Sequence, residues 1–302
     1  MLLHLRDSGF SRLSDREGLG VQEGTVATQG RCGLKLSRQG PETSFVQNAQ
    51  KIKPKLTANG LMPIFIFIIA HWYLAAFCQT FFLHRYAAHR MFSMPLSWQR
   101  VFYVLTFLTQ GSSYLNPRAY ALLHRMHHAY SDTEKDPHSP LFYRTPFAMM
   151  KNTLFMYLDA FSGKVKQDKN LQGYYPEWPA FDRWADPVLS RFGFMALYVF
   201  FYLRFATAWW MYLFLPLHFF MGPIHGAIVN WCGHKYGYAN YDNQDASKNT
   251  FFADLLTMGE LMQNNHHRHS NCPNFAVRWF EFDPTYGIIR LFGFLRIVQL
   301  SR

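Results

Sequence analysis

The hydrophobic positions of this chain fall into a few long runs that are separated by polar stretches. The longest run, 61–83 (LMPIFIFIIAHWYLAAFCQTFFL), contains no Asp, Glu, Lys or Arg. It is longer than the roughly 20 apolar residues that cross a bilayer core, so it predicts a membrane-spanning helix. Two further runs, 188–203 and 205–230, flank Arg204 and predict a second and a third span, arranged as a hairpin.

The remaining segments are more polar. The run 98–115 is interrupted by polar and glycine residues, and we expect it to lie along the membrane surface. Residues 235–302 are mostly polar until an apolar tail that looks interfacial. Residues 1–56 are polar and lack periodicity, which predicts a disordered or non-native tail, with Met62 as an alternative start. Residues 57–302 are then a single membrane domain.

Composition and charge agree with a membrane protein. Hydrophobic residues make up 49% of the 302-residue chain and aromatic residues 18%, a load typical of membrane–water interfaces. The formal net charge is +11. Because the basic residues are scattered among apolar runs, they favour contact with anionic lipid headgroups and no nucleic-acid partner. Four widely spaced cysteines indicate no disulfide framework.

Histidines concentrate at the edges of the apolar segments. They form an H-x-x-x-x-H motif, an H-x-x-H-H motif, an H-H pair in QNNHHRH, and a single histidine four residues after Asn230. Imidazole suits iron, zinc and copper. A mononuclear zinc site needs three or four ligands, so eight imidazoles predict two metal ions. The candidate ligands are His84, His89, His124, His127, His128, His234, His266 and His267.

Other polar residues lie near these motifs, and two interpretations are open for the aspartates. Asp132 and Asp136 are either acceptors for the ring N–H groups of ligand histidines or part of a solvated acidic turn. His269 is expected at the surface. The histidines inside the apolar runs are expected to form hydrogen bonds within the helix bundle, and these are His71, His218 and His225.

The histidine motifs constrain the topology. If they form one site, they lie on one side of the membrane. The span 61–83 and the hairpin 188–230 satisfy this condition. The predicted fold class is an all-α integral membrane protein, in which three transmembrane helices carry a helical cap on the side of the histidine motifs. A two-iron site beside a bilayer suggests oxygen activation against an apolar substrate.

The motifs LHRYAAHR, HRMHHAYSDTEKDPHSP, NWCGHKYG and GELMQNNHHRHSNCPNF resemble those of the membrane-bound fatty-acid desaturases, of the acyl-CoA (stearoyl-type) kind and its bacterial relatives. The resemblance covers about 61–290. It implies a histidine-liganded di-iron centre on the cytosolic face and a narrow apolar tunnel for the acyl chain. It also makes the eight histidines ligands and gives Asn230 a metal-bound water to hold.

The chain departs from the family pattern in three places. The third motif of the family usually reads H-N-x-H-H, but Gln263 stands at its first position. Gln263 either offers an amide oxygen as a weak ligand or leaves a position to water. Leu123 and Tyr120 replace an aspartate and a tryptophan of the acyl-CoA members. The family usually has four spans, whereas three are predicted here.

The resemblance implies a fatty-acid desaturase that uses dioxygen and two iron ions (Fe²⁺/Fe³⁺) to introduce a cis double bond. Its acyl substrate is carried by CoA, a carrier protein or a lipid. Its electrons come from a separate protein of the ferredoxin, rubredoxin or cytochrome b5 type. The expected location is a bacterial inner membrane with the site facing the cytoplasm. The alternatives are a hydroxylase or oxygenase on the same scaffold, and a non-catalytic membrane metal-binding protein.

Overall fold

The computed structural model describes residues 61–165, 171 and 173–300, without the side chains of 251–253. These residues belong to one compact unit, Pro54–Arg302. The predicted tail, residues 1–56, and the question of the alternative start lie outside the described residues. That 57–302 forms a single domain therefore stays a prediction.

The described part of the chain is mostly helical and contains almost no sheet. In chain order its elements are α1 (Leu61–Cys78) with a π-helical continuation (Gln79–Ala88), β1 (Phe92–Ser93), α2 (Leu96–Gln110), a 3₁₀ turn (Gly111–Ser113), α3 (Pro117–Tyr130), a 3₁₀ turn (Pro140–Phe142), α4 (Pro146–Phe161), α5 (Pro179–Ala185), α6 (Val188–Phe205), a 3₁₀ helix (Trp209–Phe214), α7 (Leu215–Phe219), α8 (Met221–Ala227) with a π-helical turn (Ile228–Cys232), α9 (Phe251–Thr257), α10 (Gln263–Arg268), α11 (Pro284–Phe294) and β2 (Gln299–Leu300).

The first membrane helix runs without a break from Leu61 to Ala88. Its outer side carries exposed apolar residues such as Ile66 and Ile69, while Ala75 and Ala76 are buried against the rest of the protein. Apolar residues on the outside are suited to lipid rather than water. This helix is the predicted span 61–83, extended by one further turn through the first histidine motif.

The predicted hairpin is present with a correction. Its first limb, α6, is long and apolar enough to cross a membrane. Its second limb is not one helix, because Trp209–Phe219 and Met221–Cys232 meet at a bend of 71°. Pro223 has no N–H for the carbonyl of Phe219, which breaks the hydrogen-bond ladder at this point. The described residues thus contain two candidate spans, or three if the bent pair counts as one.

Helix α2 covers most of the run that was predicted to lie along the membrane surface. It has 15 residues, so it is about 22 Å long, which is shorter than the roughly 30 Å hydrocarbon core. Its outward side is apolar, with Leu96, Val101 and Leu108 exposed. Its interfacial position stays a prediction.

The largest buried cluster is aromatic and surrounds the first histidine motif. Phe81, Phe82 and Phe92 pack with Phe102 and Phe275. Residues 92–93 also pair antiparallel with residues 299–300. The C-terminal segment is therefore fixed against the end of the first span.

A buried ion pair joins the first span to α11. Arg85 is fully buried, and its guanidinium donates to both carboxylate oxygens of Asp283 at 2.9 and 3.1 Å. Asp283 also caps α11 by accepting the N–H of Tyr286. No role for either residue was predicted from the sequence.

Candidate metal centre

The first histidine motif is placed by a π-helix. In an α-helix, residues five apart differ by about 140° around the axis. Here the N–H of His89 donates to the carbonyl of His84 at 3.1 Å, an i→i+5 bond. This wider winding brings residues five apart onto one face. The sequence predicted the pair at the edge of an apolar run, and the π-helical winding there supplies the shared direction.

The second motif lies on α3, which begins at an Asn-Pro pair. Asn116 caps the helix by accepting the N–H groups of Arg118 and Ala119, and Pro117 occupies the first turn. Residues four apart share a helix face, so His124 and His128 point the same way. His127, one position away, points into a second group.

The third motif is a short helix that supplies one histidine to each group. The adjacent residues His266 and His267 of α10 belong to different sets of ring nitrogens. His234 follows the π-helical turn Ile228–Cys232. Together the motifs form a five-histidine cluster of His84, His89, His124, His128 and His266, and a three-histidine cluster of His127, His234 and His267.

The hydrogen bonds of the three-histidine cluster leave its inner ring nitrogens suited to a cation. The Nδ1 atoms of His127, His234 and His267 donate to aspartate carboxylates at 2.9, 2.9 and 2.7 Å. A neutral imidazole carries one N–H, so each Nε2 is left with a bare lone pair. The Nε2 atoms of His127 and His267 nevertheless lie 3.2 Å apart. Two lone pairs do not hydrogen-bond to each other, whereas an ion between them would satisfy both.

The five-histidine cluster has the spacing of metal ligands. Its Nε2 atoms form contacts of 3.0 Å between His84 and His266, 2.9 Å between His266 and His128, and 3.0 Å between His128 and His124. The Nε2 atoms of His89 and His124 are 2.7 Å apart. Two nitrogens on adjacent positions of one ion, each about 2.1 Å from it, would be about 3 Å apart.

Burial keeps these rings in the form that binds metal. Removal from water disfavours the imidazolium, and the neighbouring histidines add to this effect. A neutral ring offers its lone pair without first losing a proton. The pKa is lowered in this way for His89, His124, His127, His128, His266 and His267.

For half of the histidines, a carboxylate lies next to Nδ1 and orients the ring. Asp132 and Asp136, both predicted as such acceptors, contact the Nδ1 atoms of His234 and His127. Two further acids were missed. Asp245 accepts from His267, and Glu260 lies 2.5 Å from Nδ1 of His84, without hydrogen-bond geometry. Burial alone would raise the pKa of Asp245, but hydrogen bonds from His267 and Ser247 hold it well below its ordinary value.

We expect Asp245→Asn to weaken metal binding by about 10- to 100-fold, because loss of an orienting carboxylate commonly has that effect. The amide keeps the size of the side chain but removes the charge that fixes the proton on His267 Nδ1. Competition with a chelator of known affinity measures the change. Asp242→Asn is the matched control, since Asp242 is an exposed residue of the same loop. Equal affinities for both variants would contradict the expectation.

Gln263 and Asn230 each stand four residues before a histidine of the three-histidine cluster. Gln263 is buried, and its Nε2 donates to the carbonyl of Glu260 at 2.7 Å. It packs on the turn before His234, where a Cβ added to Gly233 would come within 2.5 Å of its Cγ. Asn230 is half-buried in the preceding π-helical turn. Their roles as ligand or water holder stay predictions.

The other histidines follow the prediction from the sequence, with the exception of His225. His71 and His218 contact each other through Nδ1 atoms at 2.7 Å, and Tyr202 contacts His218 at 2.9 Å, as expected of bundle residues. His225 does not follow them: it is buried, and neither ring nitrogen has a partner among the described residues. It also lies on a different helix from His218, across the bend, and not on the same one as predicted. His269 is exposed, as expected.

Two asparagines hold the third motif in place. Asn264 accepts the N–H groups of Asn240 and Tyr241 at 2.8 Å. Asn265 accepts from Asn249 and donates to the carbonyl of Phe275. His138, which was not a predicted ligand, is buried against His127 and Asp136, and neither of its ring nitrogens has a partner among the described residues.

Comparison with known proteins identifies the family. The fatty acid desaturase model matches residues 59–291, more than half of the chain. The chain belongs to the fatty acid desaturase family. This desaturase is similar to the Delta-9 desaturase-like 5 protein of Arabidopsis thaliana, at 29% identity over 74% of this chain and 71% of that protein.

Two other relatives carry more specific names. The sn-1 stearoyl-lipid 9-desaturase of Anabaena variabilis is 25% identical over 76% of this chain and 79% of its own length. The acyl-CoA C20 Delta5-desaturase of Anemone leveillei is 28% identical over 72% and 67%. The all-α membrane fold, the family and the desaturase function predicted from the sequence are confirmed. The desaturase is a membrane-associated oxidoreductase of fatty acyl chains, with histidine clusters suited to metal.

Proposed function

We propose that this desaturase introduces a cis double bond into a fatty acyl chain with two iron ions, one in each histidine cluster, and dioxygen as co-substrate. The observation that carries the proposal is the convergence of eight imidazoles into two adjacent groups. Nitrogen ligands suit iron as well as zinc, but zinc has no redox chemistry, and removal of hydrogen from an unactivated methylene needs an oxidant. Iron held there would supply the oxygen activation.

The chain's own residues orient and protect the centre. Asp132, Asp136 and Asp245 hold the N–H of three rings, so the lone pairs point inward. The five-histidine cluster has a full set of imidazoles, whereas the three-histidine cluster has positions left for Gln263, for water at Asn230, or for dioxygen. The unequal ligand numbers give one site room for exchangeable ligands.

The electrons come from a separate protein of the ferredoxin, rubredoxin or cytochrome b5 type, and the acyl chain is carried by a lipid or by CoA. The relatives support either carrier, since one is named for stearoyl-lipid and another for acyl-CoA. Two of the relatives named above are Delta-9 or 9-desaturases, and we propose the same bond position here.

We propose that the centre faces the cytoplasm, with a bacterial inner membrane as the location predicted from the sequence. Cys78, Cys232 and Cys272 are free thiols, in keeping with a reducing compartment. The relatives named above come from plants and from Anabaena variabilis, so they do not share one compartment. A reporter fused to residue 302 measures on which side of the membrane the C-terminus lies.

Acyl profiling by mass spectrometry tests the function. We expect a new monounsaturated acyl species in a host that makes the chain together with an electron donor, and its loss in His128→Ala. His269→Ala, which changes an exposed histidine, should keep the product. An acyl species that has gained one oxygen, instead of losing two hydrogens, would indicate a hydroxylase. No product from an iron-loaded, reduced membrane protein would favour the non-catalytic alternative.

A further inference from the structure

A second feature of the molecule is a cavity of about 740 Å³ that reaches the five-histidine cluster. It lies between the end of the first span, the start of α2 and the segment around Tyr174, and His89 forms part of its wall. Such a volume lies in the range of small-molecule sites. Its lining is more polar than an acyl chain needs, and none of its lining residues is acidic.

The floor of the cavity is the buried side-chain amide of Gln99, whose oxygen already accepts hydrogen bonds. Gln99 is 5% exposed, and its Oε1 accepts the hydroxyls of Tyr86 at 2.8 Å and Tyr174 at 2.9 Å. Both lone pairs of the amide oxygen are thereby used. Its NH₂ group donates to no described residue, so it is the group available to a ligand that accepts hydrogen bonds.

The wall of the cavity carries an arginine with no acidic partner among the described residues. Arg90 is exposed, and its guanidinium lies 5.3 Å from the centre of the Tyr174 ring. Two other arginines near Tyr174 are engaged differently: Arg118 pairs with Glu177 at 2.8 Å, and Arg125 donates to the backbone at Ala87, Ala88 and Tyr174. An uncompensated guanidinium beside an amide NH₂ fits an anion, and its planar fork matches phosphate.

The position of the cavity indicates where this anion comes from. One edge is formed by Leu96, at the start of the exposed apolar side of α2, and another by His89 of the metal centre. A ligand in the cavity would touch the lipid interface on one side and the site of chemistry on the other. This is the place of the polar end of an acyl substrate, with its chain directed toward the metals.

We propose that this cavity binds the phosphate group of the acyl carrier, with Arg90 as its cation and the Gln99 NH₂ as its hydrogen-bond donor. The inference rests on the proposed function, because it assigns a subsite for the same substrate. A phosphate occurs both in glycerophospholipids and in CoA. Either source satisfies the chemistry, and the experiment separates them.

Binding of dihexanoylphosphatidic acid and of CoA to the purified full chain, measured by thermophoresis, tests the proposal. We expect Arg90→Ala to weaken binding of at least one of them by about tenfold or more, the usual effect of losing a charged hydrogen-bond partner. Gln99→Glu keeps both phenol contacts but replaces the donor with a negative charge, and should weaken binding further. Arg118→Ala is the matched control and should bind as the wild type does.

The experiment distinguishes a failure of this subsite from a failure of the proposed desaturase function. Wild-type affinity for both ligands in Arg90→Ala overturns the subsite, even if the chain makes unsaturated products. Reduced turnover at limiting electron donor with unchanged ligand affinity also overturns it, since the cavity would then be a protein docking surface. Arg90-dependent binding without any unsaturated product keeps the subsite and refutes the desaturation. Preference for phosphatidic acid or for CoA names the carrier.

Discussion

His267→Ala is expected to empty the three-histidine cluster of metal while leaving an ion in the five-histidine cluster, whereas His266→Ala is expected to keep both ions, because four imidazoles remain in its cluster. The two residues are neighbours on α10, but their rings point into different clusters. Removing His267 leaves the three-histidine cluster with two imidazoles, which is below the usual minimum of about three protein ligands. His267→Ala should therefore keep roughly one of the two ions and should form no unsaturated product.

Metal analysis of the purified variants measures the content, and Mössbauer spectroscopy distinguishes two coupled irons from one isolated iron. His269→Ala, at the exposed end of the same helix, is the control and should keep both ions. A full complement of iron in His267→Ala would contradict the assignment of ligands. An identical loss of one ion in both variants would show that the two rings serve the same ion.

Asp283→Ala is expected to destabilise the protein by about 3–5 kcal/mol, the cost of leaving a buried charge without its partner. Arg85 is fully buried and donates twice to this carboxylate. The same carboxylate accepts the N–H groups of Phe275 and Tyr286, so its loss also removes the cap of α11. Thermal unfolding in detergent should show a clear loss of stability relative to the wild type.

Glu177→Ala is the control for this experiment, because it breaks the exposed ion pair with Arg118. Such surface pairs contribute about 0–1 kcal/mol, and both side chains are partly exposed, at 30% and 51%. Asp283→Asn separates the charge from the cap, since an amide oxygen still accepts the N–H of Tyr286. Equal stabilities for Asp283→Ala and Glu177→Ala would show that Arg85 finds another partner.

The identity of the candidate ligands could be predicted from the sequence, but their division into two clusters could not. Histidines at the edges of apolar runs stand out against the surrounding residues, and all eight candidates come together in the structure. The division depends on a π-helix and on the packing of α10, and spacing encodes neither. His266 and His267 differ by one position in the chain and serve different clusters.

The missed residues were acids and prolines whose effect depends on distant partners. Asp245 is 22 positions from His267, and Glu260 is 176 positions from His84, so no local pattern relates them. A signal was present for the break in the last span, where Pro216 and Pro223 interrupt an apolar run. The apolar composition alone predicted a continuous helix because it records burial in lipid and not the hydrogen-bond ladder.

The five-residue spacing between His84 and His89 corresponds to the π-helical winding at the end of the first span. A π-helical segment holds one residue more per turn than the α-helix around it. Deletion of one residue between His84 and His89 would restore an ordinary α-helix there without moving the span. His89 would still lie beside His84, and Arg90 and the strand at Phe92, which follow it, would keep their direction. A deletion of this kind is therefore expected to preserve the two ligands, whereas substitution of Arg85, which lies between them, would leave the buried carboxylate of Asp283 without its partner.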